Sequence, residues 1–317
     1  MLLSVVIPAY NESEGIETFH TELLLPALAF LDGHYEIIYV DDGSRDDTLA
    51  KLTKIAKADR HIRAVSLSRN FGKEIATTAG ISQTTGDAVI ILDADGQHPP
   101  QLIKQFVDEW QGGSQVVVGV RSSNQEEGIV KRWGSKLFYK TLNANSDAEM
   151  VPRSTDFRLI DKEVREEFLK FSERNRITRG LIDWLGYSRS YISFDAPARI
   201  AGEATYSVNK LIKLALNSII SLSLKPLFIF GWIGLGITSL SALGGIFIII
   251  EQFIIGDPLR LHFSGAAMLS IFVAFMVGLI LISQAILSIY LSHIYAQAQD
   301  RPLFVINRRN STNLSDK

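Results

Sequence analysis

Cysteine is absent from the 317 residues. That excludes disulfides, thiolate metal centres and a cysteine nucleophile, and it fits a reducing compartment. An excess of one charge is also lacking. The chain has 32 Lys and Arg against 34 Asp and Glu, a formal charge of −2, so no basic field points to nucleic acid. Both standard backbone cradles for phosphate are missing: no GxGxxG follows the first apolar run, and GxxxxGK[ST] occurs nowhere. The opening MLLSVVIPAYNE has no basic n-region and its apolar run breaks at Pro8, so it is not read as a signal peptide. Nothing repeats internally and nothing is of low complexity.

Charge disappears altogether in two stretches. Residues 226–250 and 263–292 contain no Asp, Glu, Lys or Arg. About 20 residues at roughly 1.5 Å each cross a hydrocarbon core of about 30 Å. Two transmembrane helices are therefore expected, about 227–250 and 264–291. Between them Gly256-Asp257-Pro258 supplies turn chemistry. Lys210, Lys213 and Lys225 precede the first span, and Arg301, Arg308, Arg309 and Lys317 follow the second. The positive-inside bias puts both ends in the cytoplasm. SVNKLIKLALNSIISLSLK, 207–225, reads as an interfacial amphipathic helix with lysines near lipid headgroups. The expected organisation is a cytoplasmic domain over 1–205, the interfacial helix over 206–225, two spans within 226–293, and a cytoplasmic tail over 294–317.

The first domain alternates strand and helix patterns. LLSVVIP (2–8), YEIIYV (35–40), IRAVSLS (62–68), DAVIILDA (87–94) and QVVVGV (115–120) are short apolar, β-branched runs. Helices are expected after Asn11-Glu12-Ser13, up to about Ala58, and from about Gly72 to Thr84. The alternation predicts an α/β fold, a mostly parallel sheet with helices on both faces. Ligands of such sheets sit beyond the carboxyl ends of the strands. Polar residues gather there: Tyr10, Asn11 and Glu12; Asp41 and Asp42; Asp93 and Asp95; Arg121.

VIILDADGQHPP (89–100) runs a buried strand straight into two carboxylates one residue apart. Such a pair is costly without a positive partner. A hard cation, Mg²⁺ or Mn²⁺, held by Asp93 and Asp95 and completed by a substrate diphosphate, would supply one. Alternation along a strand points both side chains the same way. The competing assignment for Asp41 and Asp42 is a turn and a helix cap. His98 suits a supporting position better than a ligand's, and Phe71, Trp133 and Trp184 suit the core.

VVIPAYNE, YVDDGSRDDT, RNFGKE, DADGQHPP, VVVGVR, DFRLID and R-x-x-GE follow in order along residues 3–225. Together they resemble the family 2 glycosyltransferases with the Rossmann-like GT-A fold. Within them the match is to the bacterial polyprenyl-phosphate glycosyltransferases, which resemble dolichyl-phosphate mannose synthase and include the bactoprenol glucosyl transferases. The resemblance implies a nucleotide-diphosphate sugar donor, most simply a UDP-sugar. Pro8, Tyr10, Glu12, Val40 and Asp42 match nucleoside positions, and Asp93, Ala94 and Asp95 match the metal–diphosphate site. Gln97 stands beside that site, and Arg121 matches a donor or acceptor-phosphate contact. Asp156 matches the position assigned to a catalytic base, with an N-cap near Asp161 as the alternative. Arg199 matches an acceptor-phosphate arginine. The usual Gly-Glu-Ser-Lys reads Gly-Glu-Ala-Thr here, so Lys210 is expected to supply the missing charge. Gly96 stands where relatives more often carry leucine.

The implied activity is inverting transfer of a single sugar, glucose from UDP-glucose, to a polyprenyl (undecaprenyl) phosphate at the cytoplasmic face of a bacterial inner membrane. The QxxRW signature of processive synthases is missing, which argues against a polymerase. Other donors stay open (GDP-mannose, UDP-GlcNAc, a UDP-amino-arabinose), as do a non-catalytic membrane scaffold and a homo-oligomer.

Overall fold

The computed structural model describes residues 1–122, 151, 153–173, 176–197, 243, 250 and 265–314. The chain forms two compact units: Met1–Ile212 with Arg301–Lys317, and Lys213–Asp300.

The first unit is built on a sheet of seven strands. They are β1 (Leu3–Ala9), β2 (Tyr35–Asp41), β3 (Ile62–Ser66), β4 (Ala88–Ile91), β5 (Val116–Arg121), β6 (Ser154–Asp161) and β7 (Arg189–Phe194). Their spatial order is β3-β2-β1-β4-β6-β5-β7. Pairing is parallel except around β6, which runs antiparallel to both β4 and β5. The five apolar runs expected as strands all form, with no end shifted by more than three residues. The last two strands were not anticipated. β6 mixes polar and apolar residues in STDFRLID, and β7 mixes them in RSYISF, so neither has the continuous apolar run of a strand buried on both faces.

The helices are a composite stretch α1 over 16–31, α2 (Thr48–Ala58), α3 (Lys73–Ser82), α4 (Ile103–Gln111), α5 (Lys162–Phe168), α6 (Thr178–Trp184) and α7 (Gly265–Ala298). In α1 a π-helical turn, Phe19–Leu24, precedes Pro26. Proline has no N–H to donate, and a widened turn accommodates the gap in the ladder.

Alternation along the strands fills a core on each face of the sheet. Leu3, Val5, Ile7, Ile37 and Tyr39 enter one core, with Phe19 and Phe106. Val6, Ile38, Val40, Ile91 and Val118 enter the other, with Ala76, Ala79 and Phe168. Helix α3 lies very close to β1 and β2: a Cβ at Gly80 would collide with the side chains of Val6 and Val40. That contact fixes where the first residue of α3, Lys73, meets the ends of the strands.

The residues expected to be a plain tail from 294 onward instead complete the first unit from Arg301. They form antiparallel bridges with β3 at Ala64–Thr312 and with the residue just after it at Leu67–Ile306. Backbone bonds run from Asn307 N to Ser66 O at 2.8 Å and from Thr312 N to Ala64 O at 2.8 Å. Phe304, Ile306 and Leu314 pack against the second core. An open edge strand is a template for unwanted pairing, and here the chain's own end covers it. Polar residues such as Asn307, Arg308 and Asn310 hide this role from a hydropathy reading.

The first expected span, 227–250, and the interfacial helix lie outside the described residues. The second falls on α7, which runs for 34 residues. Among the described residues no helix is long and apolar enough to cross a membrane. By sequence, 265–298 contains no Asp, Glu, Lys or Arg.

Asn313, at a left-handed φ of 57°, donates from Nδ2 to the carbonyls of Ala56 at 2.7 Å and Ile62 at 2.9 Å. Asn313→Ala should lower unfolding free energy by about 1–2 kcal/mol, through lost hydrogen bonds and a less tolerant residue at positive φ. Denaturant unfolding of the purified chain checks this, and an unchanged midpoint would mean the tail's docking adds nothing.

Candidate active site

The carboxyl ends of β1, β2 and β4 open on one cleft of about 340 Å³. Pro8, Tyr10, Glu12, Asp42, Lys73, Asp93, Ala94 and Asp95 are among its lining residues. It lies beyond parallel strand ends, where the topology leaves room between connections.

Short hydrogen bonds hold its first wall. Glu12 N donates to Thr48 Oγ1 at 2.8 Å, and Arg45 N donates to Asn11 Oδ1 at 2.9 Å. These join the loops after β1 and β2. Asp41 accepts from Ser44 N at 3.2 Å, as a turn carboxylate does. Asp42 accepts from Phe71 N at 2.7 Å and Gly72 N at 2.8 Å, so it braces the loop leading into α3. Each of its oxygens keeps a further lone pair for a ligand N–H. Burial pushes both carboxyls upward, and the backbone bonds only partly offset this.

The second wall is the turn after β4. The strand ends at Ile91, so alternation does not extend as far as Asp95. Both carboxylates still line the cleft because the chain turns at Gly96, whose φ is +77°. A left-handed residue there suits glycine. Asp95 Oδ1 accepts from Gln97 N at 3.0 Å. His98 is 2% exposed and stacks on Phe157 with ring centroids 5.3 Å apart. Its Nδ1 accepts from the backbone N–H of Asp93 at 3.1 Å, which puts its proton on Nε2. His98 thus fixes Asp93 through the main chain.

A lysine stands between the acids. Lys73 Nζ lies 2.7 Å from Asp93 Oδ1 and 3.0 Å from Asp156 Oδ2. Burial opposes its charge, but Asp93 and Asp156 outweigh that and raise the ammonium above the usual lysine range. Its side chain keeps 44% of its surface open, so water weakens this effect. Asp156 sits on β6, clear of any helix start; the N-cap is Asp161, which accepts from Glu163 N at 2.8 Å. Burial would raise the Asp156 carboxyl, yet Lys73, with Arg179 and Arg158 behind it, holds it well below the usual range. Beneath it Arg158 and Asp183 form a buried ion pair at 2.7 Å, which anchors β6 to α6.

Of the expected site residues, Pro8, Tyr10, Glu12, Asp42, Asp93, Ala94 and Asp95 share the cleft, and Asp156 joins them through Lys73. Gln97 and Arg121 form a flanking pair, Arg121 Nη2 donating to Gln97 Oε1 at 3.2 Å. Arg121 Nε is buried with no hydrogen-bond partner among the described residues. Val40 is wholly buried in the second core, away from the cleft lining. Arg199 and Lys210 lie outside the described residues. Lys73, within RNFGKE, is a site residue that the local sequence does not mark. Only contact across the sheet, with residues 20 and 83 positions away, reveals it.

The donor set fits a divalent cation completed by substrate. No group of three or more His, Asp or Glu among the described residues could hold a metal alone. Two carboxylates on an open cleft match an ion that takes its remaining ligands from phosphate and water.

This mixed α/β sheet, with an acid-rimmed cleft at its strand ends, has the layout expected of a GT-A transferase. Residues 4–169 match the family described as Glycosyl transferase family 2, and the chain belongs to that family; it is a glycosyltransferase. It is 39% identical to an uncharacterized glycosyltransferase of Synechocystis sp., over 96% of this chain and 94% of that one. It is 34% identical to the bactoprenol glucosyl transferase of Shigella phage SfX, over 98% and 100% of the two chains. To the prophage bactoprenol glucosyl transferase homolog of Escherichia coli it is 32% identical, over 97% and 99%.

Burial lowers the His98 imidazolium below its ordinary 6.5. The native state then binds fewer protons than the unfolded chain, so stability falls as pH drops below about 6.5. Thermal midpoints between pH 7 and 5.5 should fall in the wild type and fall less steeply in His98→Gln. Equal slopes would show that His98 titrates normally.

Proposed function

We propose that this glycosyltransferase moves one glucose from UDP-glucose to a polyprenyl phosphate at the cytoplasmic face of a membrane. The observation that carries the reading is the cleft itself. Two carboxylates, a lysine and a third carboxylate converge where a sugar diphosphate would lie over parallel strand ends. The names of the nearly full-length bactoprenol glucosyl transferase relatives support the choice of sugar and acceptor.

In this reading Tyr10, Glu12 and Asp42 hold the nucleoside, and Asp93 and Asp95 face the diphosphate. A divalent cation, Mg²⁺ or Mn²⁺, bound there would neutralise charge on the departing UDP. Arg121, with its unpartnered Nε, contributes positive charge from the β5 end. The acceptor's phosphate oxygen bonds to the anomeric carbon as the bond from that carbon to UDP breaks, so configuration inverts. The acceptor needs little deprotonation, because phosphate monoesters lose their second proton near about pH 6. Asp156, kept ionised by Lys73, is a poor proton acceptor, and its part is to position Lys73.

The membrane placement rests on the chain's course. The second unit leaves the first at Ile212 and returns at Arg301. A segment with both ends tied to one folded body crosses a bilayer an even number of times. Two spans, with the lysines and arginines on the catalytic side, satisfy that condition and the positive-inside bias. Arg199 and Lys210, just before the spans, would meet the acceptor's phosphate.

UDP release should require both a divalent cation and polyprenyl phosphate, and UDP-glucose should outpace GDP-mannose and UDP-GlcNAc by at least about tenfold. Equal release without the lipid, or preference for another donor, would overturn the acceptor or the sugar respectively. Because the chain has no cysteine, single-cysteine labelling reads topology directly. Ser44→Cys and Arg309→Cys should be shielded from an impermeant reagent outside the cell, and Asp257→Cys should react. Outside labelling of position 44 would reverse the orientation.

A further inference from the structure

We infer that Lys73 is a displaceable counter-cation that makes the divalent ion and the nucleotide bind cooperatively. The inference rests on the donor-site reading above and assigns this lysine its part in it. Without metal, the Lys73 ammonium neutralises Asp93 at 2.7 Å and Asp156 at 3.0 Å. A divalent ion arriving alone must remove that ammonium from Asp93 and leave it short of one anion. An ion arriving with a nucleoside diphosphate brings the anion that Lys73 then needs. Lys73 keeps Asp156 and exchanges Asp93 for a phosphate oxygen, while the metal takes Asp93.

Three features make the ammonium displaceable. Its side chain is 44% exposed, so the ion pairs are weakened by water. It lies on the cleft, where an arriving phosphate can reach it. It is also the first residue of α3, where the helix dipole disfavours a cation, so among the described residues the carboxylates of Asp93 and Asp156 hold it. Asp156 meanwhile cannot follow Asp93 to the metal: β6 is anchored by the buried Arg158–Asp183 pair. Lys73 therefore pivots on a fixed partner.

Cooperativity of this kind is reciprocal: nucleotide tightens metal by the factor that metal tightens nucleotide. Its purpose is to keep the site from filling with metal alone, so that the cation enters with the donor.

The test is calorimetric titration of the full chain with Mn²⁺, in the absence and presence of UDP, with manganese paramagnetic resonance as a second readout. Wild type should bind Mn²⁺ weakly alone and at least tenfold more tightly with UDP. Lys73→Gln should bind Mn²⁺ alone at least fivefold more tightly than wild type, because Asp93 no longer has to give up an ammonium. Its coupling factor with UDP should shrink towards one. Lys73→Arg should restore weak metal binding. A lysine serving only the fold would not tighten metal in either variant, and unchanged or weaker Mn²⁺ binding in Lys73→Gln, with melting temperature retained, overturns the inference. Should Lys73→Gln not fold, Lys73→Met is titrated in its place with the same expectations. If wild type shows no Mn²⁺-dependent binding of UDP, the donor-site reading falls, and this inference with it.

Discussion

The charge balance around one lysine governs this site. Asp93, Asp95 and Asp156 are brought to one end of a sheet, and unopposed they would repel each other and resist burial. Lys73 offsets that at the end of a helix whose position is set by close packing on β1 and β2. The buried Arg158–Asp183 pair and the ring stack of His98 on Phe157 fix the two carboxylates from behind. The ion pairs of Lys73 with Asp93 and Asp156, and of Arg158 with Asp183, hold opposite charges together in and behind a cleft that still admits solvent and substrate.

A resting site that is neutralised internally differs from a preformed metal centre. A preformed centre would show three or more ligands facing an empty point. Here Asp93 and Asp95 line the cleft, and Asp93 is paired with an ammonium. In the proposed reaction the arrangement would be complete only when a diphosphate contributed oxygens to a cation and a partner to the lysine. Chemistry on a leaving diphosphate would thereby be tied to the presence of that group.

The five parallel strands and their polar tips were legible because buried parallel strands are continuous apolar runs and ligands gather at their ends. The acidic pair at 93 and 95 was legible for the same reason, although a glycine turn, rather than strand alternation, brings Asp95 to the cleft. β6 and β7 were not legible: their mixed composition reads as loop until β4 and β5 are present to pair with them. Val40, inside an apolar run, places its side chain in the core. The tail's return to β3 and the position of Lys73 depend on contacts spanning up to 257 residues, which no local pattern encodes.

The account stands or falls on what happens when metal and nucleotide enter together. A structure of the protein with UDP and Mn²⁺, with the manganese located by its anomalous scattering, reads this directly. The account predicts the ion between the Asp93 and Asp95 carboxylates and the diphosphate, with Lys73 Nζ still on Asp156 and moved from Asp93 to a phosphate oxygen. Manganese bound elsewhere, or Lys73 still paired with Asp93 beside a bound diphosphate, would contradict it.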